Sequence, residues 1–363
     1  MNKRIGILTG GGDCPGLNAL IRAVVKSAIN EYGWESVGIL DGFEGLLRPG
    51  RYTRLSYDDV SEILTTGGTI LGSSNRINPF QVKEEKYGRV RITDRSGEVV
   101  RVAKRLGLDS LIVSGGDGTM NIAARIHALG IPVIGVPKTI DNDLLGTDFT
   151  IGFDTAVTIA SDAIDRLRTT AQSHHRVMVV EVMGRNAGWI ALKSGIASGA
   201  DIILIPEIPF NYESICRAIG LRTRKGRRYT IVVVAEGASL KGGKQVVQRE
   251  VKTSAESIRL GGIGQVITQE IENHTGIETR ATVLGHVQRG GIPTAFDRNL
   301  ATLFGFEATR TVSQGQAGVY LALKGDKIIR RPLKQAIRGI RRVPVNGLEV
   351  KAARALGVRF GNE

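Results

Sequence analysis

Two short segments hold the residue types that phosphoryl chemistry needs. Gly115-Gly116-Asp117-Gly118-Thr119 and Pro137-Lys138-Thr139-Ile140-Asp141-Asn142-Asp143 each follow an apolar run, residues 110–113 and 131–136. A Gly-rich turn at the end of a parallel strand lets main-chain N–H groups approach phosphate oxygens. Carboxylates beside such a turn can hold Mg²⁺ and accept a proton from an attacking hydroxyl. Asp117, flanked by glycines, is suited to the metal. Asp141 and Asp143 place two carboxylates near one loop, one to serve as base and the other to orient it or link to a metal. An isolated Asp in a turn is often only a helix cap, but two such motifs point together to phosphoryl transfer. A further Gly-rich turn, Gly10-Gly11-Gly12-Asp13-Cys14-Pro15-Gly16, precedes a helix-like segment. Gly12 could present N–H groups to a phosphate, or the segment is only a tight strand–helix turn. Its spacing is not the dinucleotide-binding one, and no Walker A sequence occurs.

The elements that must position these loops alternate. Residues 3–9, 36–40, 110–113 and 133–136 read as strands, and residues 17–31 and 156–170 have helical apolar spacing. A second series of strands, 176–182, 201–205 and 229–235, follows. Alternation of this kind predicts βαβ units, mostly parallel sheets and two α/β domains, in keeping with 363 residues at about 150 per domain. The Gly-rich or acidic turns at 10–16, 115–119, 137–143, 184–187 and 236–237 all follow strand ends. Ligands collect there in open parallel sheets, so the turns are expected to form one composite site between the two domains. Residues 241–250, around Gly242-Gly243, read as an exposed loop.

Composition excludes other classes. No apolar run approaches the roughly 18 residues that span a membrane, and residues 1–9 read as a first strand rather than a signal peptide, so a cytoplasmic protein is expected. Cys14 and Cys216 are the only cysteines and make no case for a disulfide framework. The net charge of +14 is concentrated in residues 222–228 and 324–359. Aromatic residues are only 5%, and no nucleic-acid-binding motif is present. Phosphorylated ligands account for the basic excess better than nucleic acid does.

The residues also resemble a known family. Besides the segments above, Gly67-Gly68-Thr69-Ile70-Leu71-Gly72-Ser73, residues 148–156, 163–168, His175-Arg176, residues 180–188, Ala235-Glu236 and residues 278–291 match the 6-phosphofructokinases in family order over nearly the whole chain. The resemblance implies two Rossmann-like domains with the active site in the cleft between them. Residues 1–150 with about 290–345 would bind the donor, and residues 151–289 with about 346–363 the sugar phosphate. It implies the glycolytic, Mg²⁺-assisted transfer of a phosphoryl group to the 1-hydroxyl of fructose 6-phosphate. Asp141 is then the general base, Asp117 the Mg²⁺ ligand, Asp143 a supporting carboxylate, and Thr139 a neighbour of the transferred group. Gly12, Arg76, Gly115, Gly116, Asp117, Gly118 and Thr119 cradle the donor. Met183, Gly184, Arg185 and Glu236 hold the sugar, with Arg185 also stabilising the transition state. His286 and Arg289 meet the sugar phosphate, and Arg176 and Arg280 reach it from a neighbouring subunit, which implies a homotetramer.

Two features stay open at this level. In the family, an Asp where Gly118 stands and a Lys where Lys138 stands accompany pyrophosphate as donor; this chain mixes Gly118 with Lys138, as in the long-chain, mixed-donor branch. Gly118 leaves room for a nucleotide α-phosphate, so ATP is the expected donor and pyrophosphate the alternative. A kinase of another substrate is a second alternative, because kinases of NAD and diacylglycerol share the 115–119 motif. The positions matching the family's effector site are Arg22, Lys26, Arg54, Arg168, Lys225 and Arg227, with Asp201 where a metal-linking acid sits. They imply an anionic effector or a plain basic interface.

Overall fold

The apolar runs become strands because a parallel strand covered on both faces is apolar throughout. The structure, a computed structural model, describes residues 3–86, 89–250 and 258–363. Along the chain the strands are β1 (Arg4–Thr9), β2 (Glu35–Ile39), β3 (Tyr52–Leu55), β4 (Val82–Lys86), β5 (Arg89–Thr93), β6 (Ser110–Gly115) and β7 (Val133–Pro137). There follow β8 (Val177–Val182), β9 (Ile202–Leu204), β10 (Thr230–Ala235), β11 (Val247–Glu250), β12 (Ile258–Leu260), β13 (Thr279–Val283), β14 (Val319–Lys324) and β15 (Lys327–Pro332). The chain divides into two compact units. The first comprises Met1–Thr155 and Arg289–Ile340, the second Ala156–Glu250, Ile258–Gln288 and Arg341–Glu363.

The first unit is built on a seven-stranded sheet in the order β15-β14-β7-β6-β1-β2-β3. Its inner strands are parallel, and antiparallel strands close both edges, β3 on β2 and β15 on β14. Leu8, Val37, Val113, Val133, Tyr320 and Leu333 belong to its core. β14 pairs with β7 through Val319 and Ile134, so the sheet is finished by a late segment of the chain. Two helices, Leu17–Tyr32 and Ala295–Ser313, pack on each other. Asp297 on the second takes the main-chain N–H groups of Gly152 and Thr155, and so caps the helix Phe153–His174. Burial pushes that carboxyl up to about 6.

The second unit carries an all-parallel sheet in the order β13-β8-β10-β9. Val179, Leu204, Phe210, Val232, Val234 and Ile267 belong to its core. Residues 241–244 are exposed, as expected of a loop, but Val247–Glu250 pairs antiparallel with β12 and corrects the loop assigned to all of 241–250. The four-residue strand is too short to show an apolar period beside Gly242-Gly243. Among the described residues no helix is long and apolar enough to cross a membrane.

Candidate active site

β7, β6 and β1 are neighbours and parallel, so the turns after them share one edge of the first unit's sheet. The turns are tied to one another through main-chain bonds. Gly10 N–H donates to Ser114 O at 2.8 Å, and Lys138 N–H donates to Gly115 O at 3.0 Å. The helix Asp117–Ala128 begins directly after β6. The N–H groups of its first turn have no intrahelical partners, and its dipole favours an anion there. Asp117 is exposed, and its Oδ1 accepts the N–H of Gly118 at 2.7 Å. Thr119 is buried against Gly10 and Gly115, so it supports the turns from below. A Cβ built on Gly118 meets nothing within 4 Å.

The β7 turn brings the acidic residues together. Asp141 N–H donates to Thr139 Oγ1 at 3.2 Å, and Asn142 adopts φ +51°. Thr150 and Asp148 brace this turn, Thr150 Oγ1 donating to Thr139 O at 2.6 Å and Asn142 Nδ2 to Asp148 O at 3.2 Å. Asp143 is buried, and burial, then the charges of Asp141 and Asp117, push its carboxyl up to about 8. The acids of the two motifs are therefore close enough to feel one another. This has a sign for stability. The native state keeps a proton on this group that the unfolded chain, ionising near about pH 3.9, has already released. The contribution is fully present below about pH 4 and is lost as pH rises towards about 8. In thermal melts of the ligand-free protein, Asp143→Asn is expected to flatten a fall in Tm between these limits; an identical slope in both proteins would refute the proton retained on Asp143.

Several residues that hold the site were not picked out by sequence reasoning. Asn18 Nδ2 donates to Thr66 O at 3.1 Å and to Gly67 O at 3.2 Å, while its Oδ1 accepts Ile70 N–H at 2.8 Å. Thr9 Oγ1 donates to Gly72 O at 2.7 Å, and Ser73 Oγ to Gly11 O at 2.6 Å. These bonds latch residues 66–73 to the Gly10–Gly12 turn. Arg76, exposed, follows Ser74, whose carbonyl accepts Gly11 N–H at 3.1 Å. Arg289, assigned by resemblance to the sugar phosphate, lies on the same turn: its Nη1 donates to Asp13 O at 3.1 Å and stands beside Gly12. Lys138 is 3% exposed and donates through Nζ to Gly10 O at 2.7 Å and to Gly12 O. Cys14 is buried, and burial pushes its thiol up to about 12, so it is not a reactive thiol.

The second unit gathers another set at the end of β8. Met183 N–H donates to Oε1 of the fully buried Gln288 at 2.8 Å. Gly237 N–H donates to Gly184 O at 3.1 Å, and the main chain of Gly237 runs so close to Arg185 O that any side chain there would overlap it. Gln245 Nε2 bridges Arg185 O at 3.0 Å and Gly237 O at 2.9 Å. The turn bearing Met183, Gly184 and Arg185 is thus fixed against the one bearing Glu236. His286 is exposed in the turn after β13. Arg176 and Arg280 share one partner, Glu278, which pairs with Arg176 Nε at 2.7 Å and with Arg280. The two guanidinium groups hold its carboxyl below the usual carboxylate range.

The effector candidates are largely engaged within their own units. In the first, Arg54 pairs with Glu35, and Lys26 lies over the Tyr57 ring at 3.9 Å; Arg22 is half-buried. In the second, Asp201 pairs with Arg222 at 2.8 Å and accepts Ile231 N–H at 2.9 Å; burial raises its carboxyl. Arg168 is half-buried beside Gly199, and Lys225 and Arg227 are exposed.

Among the described residues no three His, Cys, Asp or Glu side chains are grouped to cage a metal. Mg²⁺ is ordinarily held by one or two carboxylates together with substrate phosphates and water. An exposed Asp117 at the anion-binding end of a helix fits that mode.

The phosphofructokinase family model matches residues 4–312. The chain is 49% identical over 361 residues to an ATP-dependent 6-phosphofructokinase of Chloroflexus aurantiacus, covering 99% of this chain and 98% of that one. It is 52% identical over 342 residues to a pyrophosphate–fructose 6-phosphate 1-phosphotransferase of Amycolatopsis mediterranei, covering 94% and 96%. Of the solved structures, Pichia pastoris phosphofructokinase in the T-state matches with a TM-score of 0.80 at 33% identity; 98% of this chain is covered, and it spans 37% of that longer one. A pyrophosphate-dependent phosphofructokinase of Nitrosospira multiformis shares the fold with a TM-score of 0.80 at 23% identity, covering 99% and 93%.

Proposed function

We infer the activity from this premise: the chain belongs to the phosphofructokinase family. It is an ATP-dependent 6-phosphofructokinase, transferring the γ-phosphoryl group of ATP to the 1-hydroxyl of fructose 6-phosphate to give fructose 1,6-bisphosphate and ADP. The family match and the relatives near half identity carry the reaction. The open space at Gly118 favours the nucleotide, since nothing there crowds or repels an α-phosphate.

In the mechanism we propose, Asp141 accepts the proton of the attacking hydroxyl, and Asp143 and Thr139 keep the base turn in place. The helix N-terminus at Asp117 and the turns around Gly12 and Gly115, Gly116 and Gly118, with Arg76, bind the donor phosphates; Thr119 supports those turns. Asp117 would hold Mg²⁺, which when bound offsets the negative charge of the donor phosphates. Met183, Gly184, Arg185 and Glu236 bind the sugar, and Arg185 meets the charge that develops on the transferred group. His286, Arg289, Arg176 and Arg280 bind the sugar phosphate, since a guanidinium matches phosphate oxygens bidentately. Little covalent work is required of the protein, so positioning and charge carry the rate.

We further propose a cytoplasmic homotetramer in which Arg176 and Arg280 serve a neighbouring subunit; a monomeric mass by light scattering would refute it. The basic effector positions with Asp201 are proposed to bind ADP or phosphoenolpyruvate. A fructose 6-phosphate saturation curve that neither compound moves would remove that proposal.

The deciding experiment supplies fructose 6-phosphate and Mg²⁺ with ATP, ADP or pyrophosphate in separate reactions. Turnover with ATP is expected. Turnover mainly with pyrophosphate, the donor of the Amycolatopsis relative and the one that Lys138 suggests, would reverse the donor assignment. No turnover with any donor would overturn the reaction itself.

A further inference from the structure

We propose that Lys138 is a positioning residue of the donor site, holding the Gly10–Gly12 turn in place. The proposal rests on the ATP reading given above. Lys138 follows β7, and its own N–H is bonded to Gly115 O at the end of β6. Its side chain crosses below β6 to the turn after β1, where the ammonium takes the carbonyls of Gly10 and Gly12 together. Between them Gly11 sits at φ +81°, and a Cβ there would be 3.3 Å from the ammonium. Through its main-chain N–H and its ammonium, Lys138 therefore connects the ends of three adjacent strands.

The effect on the turn follows from its hydrogen bonds. Two of its N–H groups already have main-chain acceptors, Gly10 with Ser114 O and Gly11 with Ser74 O. With the Gly10 and Gly12 carbonyls drawn towards Lys138, the orientation of the next peptides is set, and the Gly12 and Asp13 N–H groups are the ones left for a phosphate oxygen. An ammonium engaged by main-chain carbonyls in a 3%-exposed position organises the phosphate-binding main chain rather than serving as a hook for a second phosphate.

The test compares Lys138→Met with Gly118→Asp. Lys138→Met is expected to raise the KM for ATP about tenfold or more, the size of a lost charge-assisted hydrogen bond. The KM for fructose 6-phosphate and the ratio of ATP to pyrophosphate turnover should stay within about twofold, while Gly118→Asp moves that ratio. Where Lys138→Met does not fold, Lys138→Gln, which can still donate to one carbonyl, is expected to show a smaller rise. An unchanged KM for ATP, or a selective loss of pyrophosphate turnover, would overturn the positioning role. Amide exchange of the ligand-free protein provides a readout free of any substrate. The Gly11 N–H should exchange faster in Lys138→Met, and equal exchange in both proteins would sink the proposal even if the activity reading stands. Absence of turnover in the unmodified protein would sink the activity reading and leave the exchange result to decide the role of Lys138.

Discussion

Asp141→Ser is expected to lower kcat by about 10²-fold or more, the lower range for loss of a general base, with the KM for fructose 6-phosphate little changed. The expectation comes from what holds Asp141. Its main chain is fixed by Thr139 Oγ1, and the next residue, Asn142, is anchored through its side-chain amide to Asp148 O. Neither bond uses the Asp141 carboxylate, so replacing it keeps these two anchors of the turn and removes the proposed proton acceptor. Charge adds a second effect. Asp141 is among the causes that raise the Asp143 carboxyl, so removing it lets Asp143 ionise at lower pH. The residual activity of Asp141→Ser should therefore show a pH profile displaced towards acid. A steady-state comparison of kcat and KM across pH checks both effects. Near-native kcat would remove Asp141 from the base role.

Gly118→Asp is expected to reduce kcat/KM for ATP by about 10²–10³-fold and to spare or raise turnover with pyrophosphate. Like charges about 4 Å apart near a protein surface repel by about 4 kcal/mol, which corresponds to this range of rates. The fold should accept the change. Gly118 is not in the left-handed region and a Cβ there finds open space. An acid in the first turn of the helix Asp117–Ala128 also suits its dipole. An unchanged Tm with a collapsed kcat/KM for ATP is the expected pair of results. Unchanged kcat/KM for ATP would show that the donor does not pass Gly118.

The strands that carry the motif turns were legible because β1, β6, β7, β8 and β10 are buried on both faces and read as continuous apolar runs. The glycines that end them mark where main chain must bend or approach closely. β14 and β15 were not legible. They form an antiparallel edge in which Lys324, Lys327, Arg330 and Arg331 interrupt the apolar pattern. β11 was hidden for a related reason, being short and beside two glycines. Within the site, the residue types of Asp117, Asp141 and Asp143 announced themselves. The grips of Asn18, Gln288 and Lys138 did not, because each is a hydrogen bond to main chain far away in sequence, 48 residues for Asn18 and 128 for Lys138. No local pattern encodes such a partner. The Glu278 that Arg176 and Arg280 share was missed because Arg176 lies about a hundred residues away in sequence, and Glu278, just before β13, reads alone as solvated charge.

The insertion of β14 beside β7 also bears on how the protein is made. β7 leaves the ribosome about 180 residues before the strand that pairs with it. At about 5–20 residues per second, its open edge waits roughly 10–40 s for a partner. An unpaired apolar strand edge is the kind of surface that recruits other chains. The nascent first unit is thus most exposed to aggregation while the second is being synthesised, and it completes its sheet only after the second unit's strands have been translated. Residues proposed for the ligand site on either side of that delay, Asp141 early and Arg289 late, come to the same unit only when the returning segment docks.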